Sequence, residues 1–326
     1  MPKTPFLFVS LDGGFGGSYN LNLAINRYST KYRSWLVTSR PSPYSFGEGI
    51  DIKKKPQVAG KLLEEVQRLF VVDCGGLLTI ARYLSRKCKR KVAWEPHDSR
   101  SKILYKWLED KSLVFFWSGS AYRCRSAEMN KVVRGLPCAR TFAMCDLLRC
   151  DPQALPLMQP YDDLRPVPDS DKYGEFTVCH SPGYKCKAGS KGKGTPIIEE
   201  ALKSLGVRYT VLKGLPFKQA VQIKARCHVF VDQMVPTVGG IGKSGLEALC
   251  LGLPTLCDVS LSTFSGRYVE CPVIHVENMG QLTSTIKKLR GDSKMRHFVS
   301  QLSLEWSKRL RFEPTARYLD ETLEWG

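Results

Sequence analysis

Residues 228–258, HVFVDQMVPTVGGIGKSGLEALCLGLPTLCD, hold the densest grouping of groups able to do chemistry. A short apolar run ends at Asp232-Gln233, a glycine-dense loop follows, and a helix is predicted from near Lys243. Gly239, Gly240 and Gly242, with Ile241 between them and Lys243 after, let the backbone approach a ligand closely. The first N–H groups of a helix have no partner within it and favour an anion. Glu247, expected in the first turn, carries a carboxylate able to accept two hydrogen bonds from a sugar diol. The same spacing also suits an ordinary strand–loop–helix crossover whose glycines only make turns.

Two further loops and a histidine join this set. Residues 175–214 read as a strand, a basic glycine-rich loop, a helix and a strand, with His180 just after the first strand and Lys185, Lys187 and Lys193 in the loop. A solvated basic loop is the competing reading. At the N-terminus, PFLFVSLDGGFGGSYNLNLAINR is a strand, a glycine loop containing Gly16 and Gly17, and a helix with Asn20. It lacks the acidic residue about 20 positions on that completes a dinucleotide fingerprint, which argues against a nicotinamide or flavin enzyme. The stretch VAWEPHDSR puts His97 just past a strand end, before Ser99 and Arg100.

The elements that must position these groups alternate. Runs such as PFLFVSL, SWLVT, LFVVDC, KVAWE and VFFWS are strand-like, and stretches such as 60–69 and 78–86 are helical. That alternation predicts an α/β chain with parallel sheets covered by helices. A chain of 326 residues suits two domains of about 150 residues each. Residues 158–172, MQPYDDLRPVPDSDK, are rich in proline and aspartate without apolar periodicity and read as a hinge. After Leu310, RFEPTARYLDETLEWG carries a partly apolar stripe of Tyr318, Leu319, Leu323 and Trp325.

These motifs resemble the large retaining family of nucleotide-sugar glycosyltransferases with the GT-B fold. Its members carry Asp-Gln after a strand, a loop with glycine, then Glu-Ala before Gly-x-Pro, matched here by Asp232-Gln233, Gly239 to Gly242, Glu247-Ala248 and Gly252-Leu253-Pro254. The family's first glutamate is replaced by Gly239, and the glycine after the family's histidine by Asp98. The resemblance implies two Rossmann-like domains facing a central cleft: an acceptor domain at 1–165, a nucleotide-sugar domain at 166–310, and a C-terminal helix at 311–326 that returns to the first. It implies that Gly16 and Gly17 lie over the donor pyrophosphate, that His97 meets the donor sugar, and that Lys193, with Lys187 or Lys185, stabilises the leaving diphosphate. Glu247 would anchor the ribose, and His180 is a minor donor-site candidate. The donor expected is a UDP-sugar, used with retention and without a metal, and no other cofactor is implied.

Charge points to the acceptor. Residues 1–150 carry 26 Lys and Arg against 12 Asp and Glu, a net of +14 within a total of +18. The densest cluster is Arg86 to Lys91, with more at Lys53 to Lys55, Arg100, Lys102, Arg123 and Arg125. Such a field attracts polyanions. DNA bearing hydroxymethylated bases is the expected acceptor, and Phe116, Trp117 and Tyr122 are candidates to stack on an extruded base. A buried strand is the other reading of Phe116 and Trp117. The alternative acceptor is a lipid-linked or cell-envelope saccharide at an anionic membrane surface. A nucleic-acid-binding protein that has lost its donor site and a nucleotide-sugar epimerase are the opposing classes, and no obligate protein partner is predicted. Of twelve cysteines, Cys74, Cys179, Cys227, Cys250 and Cys257 fall in apolar patterns. With no Cys-x-x-Cys pair, no signal peptide and no apolar run near the roughly 18 residues that span a bilayer, a reduced, cytoplasmic protein without a zinc site is expected.

Overall fold

The computed structural model describes residues 2–11, 17–39, 49–94, 98–118, 120–136, 138–162, 164–182, 193–235 and 240–323. The chain forms two compact units, residues 1–160 with 312–326, and residues 161–311. In the first, seven parallel strands are described: β1 (Thr4–Val9), β2 (Tyr32–Thr38), β3 (Ile50–Asp51), β4 (Arg68–Val72), β5 (Ser112–Trp117), β6 (Cys138–Ala143) and β7 (Leu155–Pro156). They pair in the order β3-β2-β1-β4-β5-β6-β7. Between them run α1 (Gly17–Tyr28), α2 (Pro56–Glu65), α3 (Asp73–Lys87), α4 (Lys102–Glu109) and α5 (Ser120–Arg134).

Strands covered on both faces must be apolar at every position rather than at alternate ones. Phe6 to Val9 and Leu69 to Val71 obey this, each 0% exposed. Phe8 and Phe70 pack with ring centroids 4.7 Å apart, and Phe70 stacks on Phe142 at 5.9 Å. Phe116 and Trp117 belong to the same core at 1% and 0% exposure. The stacking role considered for them is therefore excluded: a ring packed inside β5 presents no face to a base.

The second unit holds β8 (Thr177–His180), β9 (Arg208–Val211), β10 (Val229–Val231), β11 (Thr255–Cys257) and β12 (Ile274–His275), all parallel, in the order β12-β11-β10-β8-β9. Its helices are α6 (Thr195–Ser204), α7 (Phe217–Ala225), α8 (Lys243–Cys250), α9 (Met279–Gly291) and α10 (Ser293–Ser307). Val178, Ile198, Leu202, Val229, Val231, Leu256, Ile286 and Leu289 form its core at 0% exposure. The division falls a few residues ahead of the 165/166 boundary drawn from the sequence, because Tyr161 is tied to the second unit: its backbone N–H donates to Leu310 O at 2.7 Å. Cys179, Cys227, Cys250 and Cys257 fill core positions here, as Cys74 does in the first unit. No described helix is long and apolar enough to cross a membrane.

The last helix, α11 (Phe312–Thr322), packs on α1 within the first unit. Asp320 fixes it there. The carboxylate accepts from Ser29 Oγ, from Thr30 N at 2.7 Å and from Thr30 Oγ1 at 3.0 Å. Tyr32 Oη donates to Leu323 O at 2.7 Å, and the Arg27 guanidinium lies over the Phe312 ring. Asp320 is 7% exposed, so its removal strands donors that have little access to water. Asp320→Ala is expected to destabilise the protein by about 1–3 kcal/mol in urea unfolding, and an unchanged midpoint would refute the anchoring role.

Candidate functional site

Open parallel sheets bind ligands beyond the carboxyl ends of their strands, where the strand order reverses. In the second unit that reversal lies between β8 and β10, from which chain connections leave in opposite directions. Among the described residues, His180, Lys193, Asp232 and Gly242 converge on it. The reason is covalent. His180 ends β8, Asp232 follows β10, and the loops leaving both strands lead into the starts of α6 and α8.

Asp232 is the centre of the arrangement. It is 0% exposed, and its carboxylate accepts from Lys193 Nζ on one oxygen and from the backbone N–H of Gly242 on the other. The Cys257 thiol lies 3.9 Å from the second oxygen. One carboxylate thus joins the loop before α6 to the loop before α8. The junction is tight: a Cβ on Gly242 would lie 2.8 Å from Lys193 Nζ and 3.0 Å from Asp232 Oδ2. Gly194, at φ +76°, adopts the left-handed conformation, and a Cβ there would meet Met234 O at 2.5 Å. Met234 N donates to Lys193 O at 2.9 Å, completing the seam between the two loops.

This corrects one expectation. The Gly242 N–H, expected from the sequence to face an external anion, is taken by the Asp232 carboxylate. Lys193 is likewise ion-paired, though its side chain keeps 18% exposure. Any phosphate at this place meets a lysine already oriented by a buried acid.

His180 is corrected too. It is 0% exposed, with Nδ1 2.8 Å from Val231 O and Nε2 2.8 Å from Thr195 Oγ1. A carbonyl only accepts, so Nδ1 carries the proton and Nε2 accepts from the threonine hydroxyl. Burial, reinforced by nearby Lys193, brings its pKa down to about 4, so the ring is neutral. With both nitrogens engaged inside the protein, His180 ties the first residue of α6 to β10 and has no nitrogen left for a ligand.

Glu247 stands in the second turn of α8 rather than the first, because the helix begins at Lys243. Its Oε2 accepts from Lys224 Nζ at 2.6 Å. Lys224, on α7, is 1% exposed and also donates to Ser244 Oγ at 2.7 Å and Ser244 O at 3.1 Å, with its ammonium 4.8 Å from the Phe230 ring centre. Three hydrogen-bond acceptors and an aromatic face thus offset the burial of this ammonium. Tyr161 lies close by and donates to Lys243 O at 3.3 Å. Burial, then the charge of Glu247, holds the Tyr161 hydroxyl well above the ordinary tyrosine pKa. Neither Lys224 nor Tyr161 stands out in the sequence.

The remaining candidates divide. Gly240 O accepts from Gln233 Nε2, and Ile241 is buried with its side chain against Gly245, so both shape the loop from within. Gly17 is buried as the first residue of α1. Gly16, His97, Lys187 and Gly239 lie outside the described residues. Asp98, which replaces the family's glycine, caps the 99–101 turn by accepting from Arg100 N at 2.9 Å. Hydrogen bonds from the Arg100 guanidinium hold its carboxyl near a pKa of about 2. Asn20 Nδ2 donates to Pro160 O at 2.8 Å, which gives it an internal role. Among the described residues, no group of three or more His, Cys, Asp and Glu is placed to hold a metal ion.

No protein-family model matches the chain, and no curated protein does. Solved structures resemble it along its length. Anabaena HepE in complex with UDP and glucose is 12% identical, with a TM-score of 0.61 over 98% of this chain and 99% of that one. An alpha-glucosyltransferase in complex with UDP and a 13-mer DNA containing an A:G mismatch is 12% identical, with a TM-score of 0.60 over 96% and 97%. A glycosyltransferase from Rickettsia africae is 10% identical, with a TM-score of 0.60 over 98% of each chain. At these identities the likeness establishes the fold, which is GT-B.

The Lys224–Glu247 pair gives a prediction for the second unit. Lys224→Ala leaves a mostly buried carboxylate without its cation and is expected to cost about 3–5 kcal/mol in urea unfolding, much of it regained by Lys224→Met with Glu247→Leu. A cost below about 1 kcal/mol for Lys224→Ala would mean that water, not Lys224, satisfies Glu247.

Proposed function

We propose that this protein is a glycosyltransferase that moves a sugar from a UDP-sugar to a hydroxymethylated base in DNA, without a metal and with retention of configuration. The observation that carries the donor half is the junction of Lys193, Asp232 and Gly242 at the strand reversal of the second unit, the place where open α/β sheets take ligands. Neighbours of the same fold solved with UDP support the choice of nucleotide.

In this reading the residues divide the work. Transfer builds negative charge on the departing diphosphate, and Lys193 stabilises it with the ammonium hydrogens that Asp232 does not use. Asp232 orients Lys193 and holds the glycine loop at a fixed distance. Glu247, pinned through Oε2 by Lys224, turns its other oxygen to the ribose. His97 meets the donor sugar, and Gly16, Gly17 and Gly239 let the backbone approach the pyrophosphate and sugar. Lys187, from the same loop in sequence, adds positive charge for the diphosphate.

The acceptor half rests on charge placement. Arg86 Nη1 donates to Ile52 O at 2.9 Å, which sets the exposed Lys53–Lys55 segment beside the exposed residues 86–91 at the end of α3. Two clusters far apart in sequence become one basic face. The face suits a phosphodiester backbone, and the neighbour solved with DNA favours nucleic acid over an anionic membrane.

A transfer assay with labelled UDP-glucose, offered to hydroxymethylated duplex DNA and to anionic lipid vesicles, tests both halves. Label is expected in DNA. Lys193→Ala should lower turnover at least tenfold, while Glu247→Ala mainly weakens donor binding. Neutralising Arg86, Lys87, Lys89, Arg90 and Lys91 should flatten the salt dependence of DNA association, by about 0.9 in the log–log slope for each phosphate no longer neutralised. Wild-type rates in both donor-site variants at subsaturating donor would overturn the donor assignment. Label only in lipid would overturn the acceptor.

A further inference from the structure

A second cavity, of about 200 Å³, lies in the same unit at the opposite ends of the strands. It sits where β10 and β11 begin, beside the first turns of α10. Its lining is rich in donors and poor in acceptors. Thr177 N donates to His228 Nδ1 at 3.1 Å, so the His228 proton is on Nε2, a donor with no partner among the described residues. Arg296 spends Nη1 on Leu289 O and Arg290 O and rests its guanidinium over the Phe176 ring, leaving Nε and Nη2 uncommitted among those residues. Lys172, 16% exposed, and the side chains of His297 and Ser300 complete the wall. The one carboxylate there is Asp169, 84% exposed and 3.1 Å from Lys172.

The electrostatics agree with the count. Burial lowers the His228 pKa, and the positive charges of Lys172 and Arg296 lower it further. Lys172 in turn holds Asp169 below the usual carboxylate range, with smaller contributions from His297 and His228. A cavity lined by convergent donors calls for a ligand that only accepts. Its size is below the range that encloses a drug-sized molecule.

We propose that this cavity binds a tetrahedral oxyanion, the phosphate group of free phosphate or of a small phosphate monoester, on Lys172, Arg296 and the Nε2–H of His228. The Asp169 carboxylate is its internal competitor on Lys172. The site is independent of the donor assignment, since it lies at the other end of the sheet. An anion held there stabilises the folded second unit by mass action.

Calorimetric titration of the full chain with inorganic phosphate and with glycerol 3-phosphate, at constant ionic strength in chloride, tests this. Saturable binding is expected, weakened at least tenfold by Lys172→Met and strengthened several-fold by Asp169→Asn. UDP binding should stay unchanged in both variants. Asp169→Asn alters an exposed side chain, so it remains informative if Lys172→Met folds poorly. Tighter binding of the ester identifies a phosphate monoester as the ligand, and tighter binding of inorganic phosphate identifies the free ion. Failure of both anions to saturate overturns the proposal, as does affinity that is the same in the wild type and in Asp169→Asn.

Discussion

A carboxylate removed from water must be surrounded by donors, and Asp232 meets that demand in a way that organises everything near it. Its oxygens take an ammonium from the loop before α6, a backbone N–H from the loop before α8 and a thiol at longer range. The cost of desolvating a charge is several kcal/mol unless its hydrogen bonds are complete. The two loops are therefore held together by the need to satisfy one acid. Glycine suits the space between them, because a Cβ at Gly242 would press on the lysine ammonium and on the acid it serves.

The second buried ion pair works from underneath. Lys224 spans from α7 to the side chain and carbonyl of Ser244 and to Glu247, so α8 cannot turn about its axis without breaking several charge-assisted hydrogen bonds. His180 does the same for α6 through Thr195, using a neutral ring. Three polar residues, each satisfied inside the protein, thus fix the starts of two helices at the point where the strand order reverses. Precise placement of helix starts is what an anionic donor requires, because the stabilisation they supply falls off within the first turn.

Much of this could be read from the sequence, and what could not has a physical reason. The runs FLFV and LFVV were legible because a strand buried on both faces must be apolar throughout, whereas KVAWE, also read as a strand, forms none over its described residues 91–94. The start of α8 was legible because Gly242-Lys243 marks the break between loop and helix. Lys224 was not, since a lysine in FKQAVQIKA looks like one on a solvated face. Only the fold brings it to Glu247, 23 residues on. Asp232 was visible as a residue type in a motif, but its partner Lys193 lies 39 residues away, and that separation hides the pairing. The aromatic run at 115–117 allowed two readings. Its mixture with arginine left a stacking surface open beside a buried strand, and full burial decides for the strand.

The central claim is that the Lys193–Asp232–Gly242 junction is where a nucleoside diphosphate binds. Hydrogen–deuterium exchange of the chain with and without UDP tests it most directly, because backbone amides report where the ligand sits whatever the acceptor is. The account predicts slowed exchange concentrated at 193–196 and 240–247, and loss of that protection in Lys193→Ala. Protection confined to the first unit, or protection at the junction that is the same in Lys193→Ala, would contradict it.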